Sequence, residues 1–254
     1  MIKDLELSSS KKIYFASDFH LGIPDHASSL VREKKIVKWL DQIKTDASEI
    51  YLVGDLFDFW FEYDLVVPKG FIRLLGKLAE IADSGIPLYI FHGNHDLWQF
   101  GYLEKEIGCT VYSKAIIKEF NGKKFYIGHG DGIGPGQYRF KFILSVYRNY
   151  FFQRLFAFFH PSVGMTIANW FSHRSKQKGF EANSEYFGDD KEYHLLFAKD
   201  YLELEKVDYF IFGHRHLPMD KIVGNARVIN LGDWMQYNSY AVFDGENLEL
   251  KMYE

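Results

Sequence analysis

Ser17-Asp18-Phe19-His20, placed directly after the apolar run Ile13-Tyr14-Phe15-Ala16, decides how the rest of the chain reads. Four later fragments share its build. Gly54-Asp55-Leu56-Phe57-Asp58 follows Ile50-Tyr51-Leu52-Val53, and Gly93-Asn94-His95-Asp96 follows Leu88-Tyr89-Ile90-Phe91. Gly128-His129-Gly130-Asp131 follows Phe125-Tyr126-Ile127, and Gly213-His214-Arg215-His216 follows Tyr209-Phe210-Ile211-Phe212. Short apolar runs closed by glycine and polar residues predict buried strands opening into loops. In sheets with helical crossovers, sites gather beyond the carboxyl ends of strands. These five strand ends are therefore expected to converge, and their side chains suit a two-metal hydrolytic centre.

Around the first stretch the spacing predicts a strand over 11–17. A helix capped by Ser28 or Ser29 follows, running to about Ile43 with Ile36, Leu40 and Ile43 inward. A strand over 50–53 comes next, then a helix over 70–84 with Ile72, Leu75, Leu78, Ala79 and Ala82 on one side, then a strand over 88–91. This alternation predicts a layered α/β sheet with crossovers. Beyond Trp98 the style changes: segments 111–120 and 123–128 flank Asn121-Gly122, a strong hairpin signal. Further strands are expected over 209–212, 227–231, 239–243 and 248–253. The expectation is two sheets packed face to face with helices outside, as one domain over 1–254 carrying a helical insertion over 133–205. In that insertion one helix is expected from Tyr138 to about Phe159, stopped by Pro161, and a second amphipathic piece over 162–172.

Composition is that of a globular protein: 254 residues, 47% hydrophobic and 25% charged. The net charge of -4 offers nucleic acid no overall attraction. A single cysteine, Cys109, excludes an internal disulfide and suits a reducing compartment. No secretory signal and no spanning helix is expected, so the chain reads as cytoplasmic or peripheral to a membrane.

Carboxylate, imidazole and amide oxygen donors suit divalent Mn, Fe, Zn or Mg. In a two-metal site a carboxylate bridges ions about 3.5–4 Å apart, and a water between them ionises near neutral pH. Asp18 and His20 alternate along one strand end, as do His214 and His216, so a local bend is needed for each pair to face one ion. Asp55 is the candidate bridge, Asn94 offers a neutral oxygen and His129 a further nitrogen. His26, His92, His160, His173 and His194 have no comparable company and read as structural or exposed.

Taken together, Asp-x-His, Gly-Asp-x-x-Asp, Gly-Asn-His-Asp, Gly-His and Gly-His-x-His resemble the calcineurin-like metallophosphoesterases over nearly the whole chain apart from the insertion. The resemblance implies a four-layer αββα fold and two metal ions. By position, Asp18, His20, Asp55 and His216 would hold one ion, and Asp55, Asn94, His129 and His214 the other. His95 would contact phosphate and protonate the leaving oxygen, and Asp58 would orient His95.

Residues 132–180 hold seven Lys or Arg, no Asp or Glu, and 13 aromatics. Tyr147, Phe151, Leu155 and Phe159 step by four, which predicts one apolar helical face. A basic amphipathic segment directly after the His129 loop suits a lid that grips an amphiphile or rests on an anionic membrane, rather than plain core packing. Arg139, Tyr147, Arg148, Phe151, Lys176 and Asn183 are its candidate substrate contacts.

A narrower resemblance, to the UDP-2,3-diacylglucosamine diphosphatases of bacterial lipid A synthesis, rests on four features. They are His129-Gly130-Asp131 with the insertion after it, Asn183-Ser184, Gly213-His214-Arg215-His216-x-Pro218, and Leu231-Gly232-Asp233-Trp234. It implies a nucleotide-sugar lipid substrate, manganese as the common ion and work at the inner membrane face, and it points to no protein partner. At one position the chain departs from the best-known members, which carry Arg after the motif Asn; here it is His95, as in the wider family. The alternatives are a phosphodiesterase for another nucleotide or lipid diphosphate, and a membrane-associated binding module without catalysis.

Overall fold

The computed structural model describes residues 4–7, 11–168 and 185–254. Two six-stranded sheets face each other. The first is ordered β12-β11-β2-β3-β4-β5. It is built from β2 (Lys12–Ala16), β3 (Ala47–Leu52), β4 (Leu88–Phe91) and β5 (Thr110–Tyr112) in parallel, with the hairpin β11 (Ser239–Phe243) and β12 (Leu248–Met252) added antiparallel beside β2. The second is ordered β1-β6-β7-β8-β10-β9, from β1 (Asp4–Leu5), β6 (Ile116–Phe120), β7 (Lys123–Ile127), β8 (Tyr209–Phe212), β9 (Met219–Val223) and β10 (Ala226–Asn230).

Strand periodicity sends alternate residues to opposite faces. From the first sheet Phe15, Tyr51 and Phe91 point inward to meet Phe125, Ile127, Ile211 and Ile229 of the second. Phe15 stacks on Tyr51 at 5.2 Å between ring centroids. Ala16, Leu52 and Ile90 point outward, under Ile36, Trp39 and Leu40 of α1 (His26–Ile43) and Leu74, Leu78 and Ile81 of α2 (Ile72–Asp83). On the far side, Leu195 and Ala198 of α7 (Tyr193–Leu202) cover Phe210, Phe212 and Val228. Each large side chain so buried contributes about 1.5–3 kcal/mol. The layers are helices, sheet, sheet, helix, as expected.

Several elements differ from their sequence reading. The cap of α1 is Asp25, which accepts the Ser28 amide at 2.9 Å, while Ser29 turns back to accept the Gly22 amide at 2.8 Å. Helix α2 buries Leu74, Leu78 and Ile81 and leaves Ile72, its first residue, exposed, while Glu33 of α1 accepts the Arg73 and Leu74 amides at 2.9 and 3.1 Å. Val111 belongs to β5 in the first sheet, so 111–120 is not one strand; only β6 and β7 form the hairpin, with Asn121 and Gly122 at φ 49° and 70°. β1, β9 and the short α3 (Tyr102–Ile107) carry too little pattern to be foreseen.

After β7 come α4 (Tyr138–Tyr147), α5 (Tyr150–Ala157) and a helical stretch over 161–168, here α6. The single helix expected from 138 to 159 is broken because Asn149 caps a new one, its Oδ1 accepting the Phe151 amide at 2.9 Å. The four-residue ladder from Tyr147 to Phe159 is therefore not one helical face. Pro161 opens α6, where its missing N–H costs nothing. Lys176 and Asn183 lie outside the described residues.

Candidate metal centre

The loops after β2, β3, β7, β8 and β10 are stitched together by their own backbones. The Asp18 amide donates to Gly54 O at 3.0 Å and that of His20 to Asp55 O at 3.0 Å. The Gly213 amide donates to His129 O at 3.0 Å, and that of Trp234 to Asp18 O at 3.1 Å.

The bend that sequence alone requires is present in the backbone. Asp18, His20, Asp55 and His214 have φ of 55°, 43°, 54° and 64°. Non-glycine residues in this left-handed region cost on the order of 1–3 kcal/mol each. Four such residues in one cluster show a fold that holds strained side chains in convergence. Close approach also requires glycine at 93, where a Cβ would collide with the Asp55 carboxylate.

Six of the seven candidate ligands are buried, and Asn94 is half-buried. Nε2 of His20 and Nε2 of His216 meet at 3.1 Å, and each lies 3.6 Å from Asp18 Oδ1. Asp55 Oδ2 lies 3.7 Å from His20 Nε2 on one side and 3.3 Å from His129 Nε2 on the other. Asn94 Oδ1 is 3.3 Å from His129 Nε2, and His214 joins Asp55 and His129 within 4.8 Å. Asp55 thus stands between Asp18/His20/His216 and His129/His214. Asp18 Oδ1, fully buried, accepts no hydrogen bond. A buried carboxylate oxygen without a donor, facing imidazole nitrogens, is what a cation would complete. The donor set fits divalent ions on both sides of Asp55.

Electrostatics agree with a carboxylate–imidazole cluster. Burial opposes the charge of Asp55, but His129 and His95 hold its carboxyl well below the usual range. Burial also opposes the imidazolium of His129, yet Asp55 and Asp18 hold its pKa well above the usual value.

Supports surround these residues. His129 Nδ1 donates to Val53 O at 2.8 Å, which turns Nε2 toward Asp55; in the metal-free cluster Nε2 carries a proton, and it would have to give that proton up to hold an ion. His95 Nδ1 donates to the backbone O of Asp58 at 3.0 Å, while the Asp58 carboxylate lies 3.6 Å from Nδ1 of both His95 and His20. Asp58 therefore meets His95 most closely through its carbonyl, and its carboxylate lies equally near two imidazoles. The His95 amide donates to Asp55 Oδ1 at 2.8 Å.

Sequence reading missed four supports. Asp96 accepts the amides of Gly93 and Leu56 at 2.8 Å each and that of Asp55 at 3.3 Å, tying the second motif to the third. Arg32 donates to Phe19 O, His20 O and Ile23 O at 2.6–2.7 Å, clamping the loop that carries His20. Asp233 Oδ2 sits 3.9 Å from His216 Nδ1, while its Oδ1 accepts the amides of Met235, Gln236 and Tyr237. His194 Nε2 donates to Gly130 O at 3.1 Å, beside His129. Asp96 was visible in its motif and Asp233 in Gly-Asp-Trp, without a sign of their targets; Arg32 and His194 had no local signal.

His194 is fully buried, and burial pushes its pKa down to about 3. An unfolded His titrates near 6.5, so below that pH the unfolded chain takes up a proton that the native His194 refuses. Its contribution is complete above about pH 6.5 and is lost on acidification toward pH 3, at about 1.4 kcal/mol per pH unit. Urea unfolding of the chelated protein is expected to show a shallower stability loss between pH 6 and 4 in His194→Asn than in the wild type. Equal slopes would contradict a neutral buried imidazole.

The family model for calcineurin-like phosphoesterases matches residues 11–218. The chain belongs to this family. Its members are phosphoesterases, so the chain is a hydrolase. It is 40% identical to the UDP-2,3-diacylglucosamine hydrolase of Porphyromonas gingivalis, over 96% of this chain and 98% of that one. It is 24% identical to the enzyme of the same name from Yersinia pseudotuberculosis, over 93% and 96%. Among solved structures, a phosphoesterase from E. coli superposes with a TM-score of 0.47 at 15% identity, covering 93% of this chain and 90% of the other.

Next to the phosphoesterase centre lies the helical segment. Phe140 of α4 stacks on the His214 ring at 5.5 Å. Trp98 donates from Nε1 to Tyr147 O at 2.8 Å, and its ring packs on Phe156 at 4.8 Å. Arg148 pairs with Asp131 at 2.7 Å. Of the expected lid contacts, Tyr147 packs edge-on against Trp98, while Arg139 and Phe151 are exposed. Tyr138, Phe142, Tyr150 and Phe158 are more than half exposed as well.

Proposed function

We propose that this hydrolase cleaves the diphosphate of UDP-2,3-diacylglucosamine, releasing UMP and 2,3-diacylglucosamine 1-phosphate. The observation that carries the reading is the contact of aromatic helices with the centre, with Phe140 lying on His214. An amphiphile with its diphosphate at Asp55 would find apolar side chains beside its acyl groups. The 40% identical relative named for this substrate supports the same reading.

Asp18, His20, Asp55 and His216 would hold one divalent ion, and Asp55, Asn94, His129 and His214 the other, manganese being the ion proposed. Bound there, the ions supply Lewis acidity to phosphate oxygens and lower the pKa of water. The chain's own residues do the rest. The oxygen of water bonds to phosphorus as the P–O bond to the leaving phosphate breaks. The water's proton passes to solvent, and His95, with Asp58 O fixing the ring, gives its Nε2 proton to the leaving oxygen and is reprotonated from solvent. Within the insertion over 133–205, α4 and α5 act as a lid while α7 stays packed on the second sheet. Arg139 is available to anionic groups, Arg148 on leaving Asp131, and Phe151 to acyl chains. The exposed aromatics of α4 and α5 rest on an anionic membrane surface. Among the described residues no helix is long and apolar enough to cross a membrane.

With manganese the protein is expected to release UMP from UDP-2,3-diacylglucosamine, and to stop after chelation. Comparable turnover of UDP-N-acetylglucosamine would remove the acyl-directed reading and favour a general nucleotide diphosphate phosphodiesterase, which the family residue His95 also suits.

A further inference from the structure

His214 and His216 reach the centre from one short loop, and the residue between them must point the other way. That residue is Arg215, fully buried although charged. Its guanidinium donates to Glu192 Oε1 at 2.8 Å and to the backbone O of Glu185. It also lies over the Phe187 ring at 4.5 Å and the Tyr193 ring at 5.8 Å. Glu192, the residue that opens α7, is equally buried and also accepts the Phe187 amide at 3.0 Å. The peptide groups of the loop are fixed as well: Asn230 Nδ2 donates to Arg215 O at 2.7 Å and to Leu217 O at 2.8 Å.

We infer that Arg215 and Glu192 form a positioning pair, which anchors the second sheet's metal-binding loop to the start of α7 and so sets the affinity of the centre for its ions. The inference rests on the ligand assignment made above for His214 and His216. Its physical basis is threefold. His214 is held at φ 64°, a conformation that relaxes unless its neighbours over-determine it. The Arg215 fork fixes direction as well as charge, which a lysine or an apolar side chain cannot do. A fully buried ion pair is a weak source of stability, because desolvation offsets the attraction, so its presence calls for a geometric role. Nothing in Gly-His-x-His itself demands arginine at the middle position.

The test measures manganese affinity by chelator competition, together with the melting temperature of the metal-free protein. Glu192→Gln keeps the shape and removes the charge; it is expected to weaken manganese binding by about 10–100-fold, the range for groups that orient metal ligands. Removing the charge that faces buried Arg215 can also unfold the chain, so the double variant Glu192→Leu with Arg215→Met removes both charges at once. It is expected to recover the metal-free melting temperature and still bind manganese at least about tenfold more weakly. Wild-type affinity in either folded variant would overturn the inference and reduce the pair to packing. His214→Ala separates the two levels. If it weakens binding while the pair variants do not, only the positioning role fails; if it binds manganese like the wild type, the ligand assignment itself fails.

Discussion

Asp55→Ala is expected to lose bound manganese and hydrolysis together, with kcat lower by at least about a thousandfold, or roughly 4 kcal/mol of barrier. Among the described residues Asp55 is the one carboxylate within reach of imidazoles on both sides, 3.7 Å from His20 and 3.3 Å from His129. Its other oxygen accepts the His95 amide, so the substitution also loosens the acid. No neighbour replaces it: Asp18 faces His20 and His216, and Asp96 is committed to backbone amides. Asp55→Asn keeps the shape and removes the charge, and should retain part of the fold's order while losing most of the metal. Metal content by elemental analysis, measured with steady-state rates, checks both. A protein that keeps full activity and its metal complement without Asp55 would dismantle the assignment.

His95→Ala should behave differently. The ring is the most open of the cluster's histidines, with 23% of its side chain accessible, and its Nδ1 is taken by Asp58 O at 3.0 Å. It is placed to hand over a proton at Nε2, and general acids of this kind contribute about 10²–10⁴-fold. The expected result is that loss in kcat with metal content retained. The deficit should shrink for 4-nitrophenyl phosphate, whose leaving oxygen departs without a proton. An equal deficit for good and poor leaving groups would assign His95 to phosphate binding instead. Asp58→Asn keeps the carbonyl that orients His95, so its effect should be smaller than that of His95→Ala.

The difference between these residues and their supports shows what local sequence can carry. Each candidate ligand sits at the end of a strand whose apolar run and closing small residue, Ser17 in the first motif and glycine in the others, lie within ten residues, so its placement follows from short-range pattern. The same holds for the β6–β7 turn, where Asn121 and Gly122 adopt the positive φ their identities favour. Most strand ends were therefore legible, and with them the positions of the seven candidate ligands, whereas the roles of Asp58 and His95 came only from the family resemblance.

Partnership across the chain was not legible. That β11 and β12 join the first sheet, and β1 the second, depends on edge pairing between segments far apart in sequence. Periodicity cannot report this, because every strand offers the same backbone groups. Arg32 on the His20 loop, Asp96 on the Asp55 loop, Asp233 behind His216 and Glu192 on Arg215 are single polar residues whose targets lie between 12 and 41 residues away. The break between α4 and α5 turned on a local contest in which Asn149 capped a helix rather than continuing one. The chain by itself determined which donors exist and at which strand ends they stand. Only the tertiary structure decided how they converge, because left-handed backbone at Asp18, His20, Asp55 and His214 is sustained by contacts that no single segment contains.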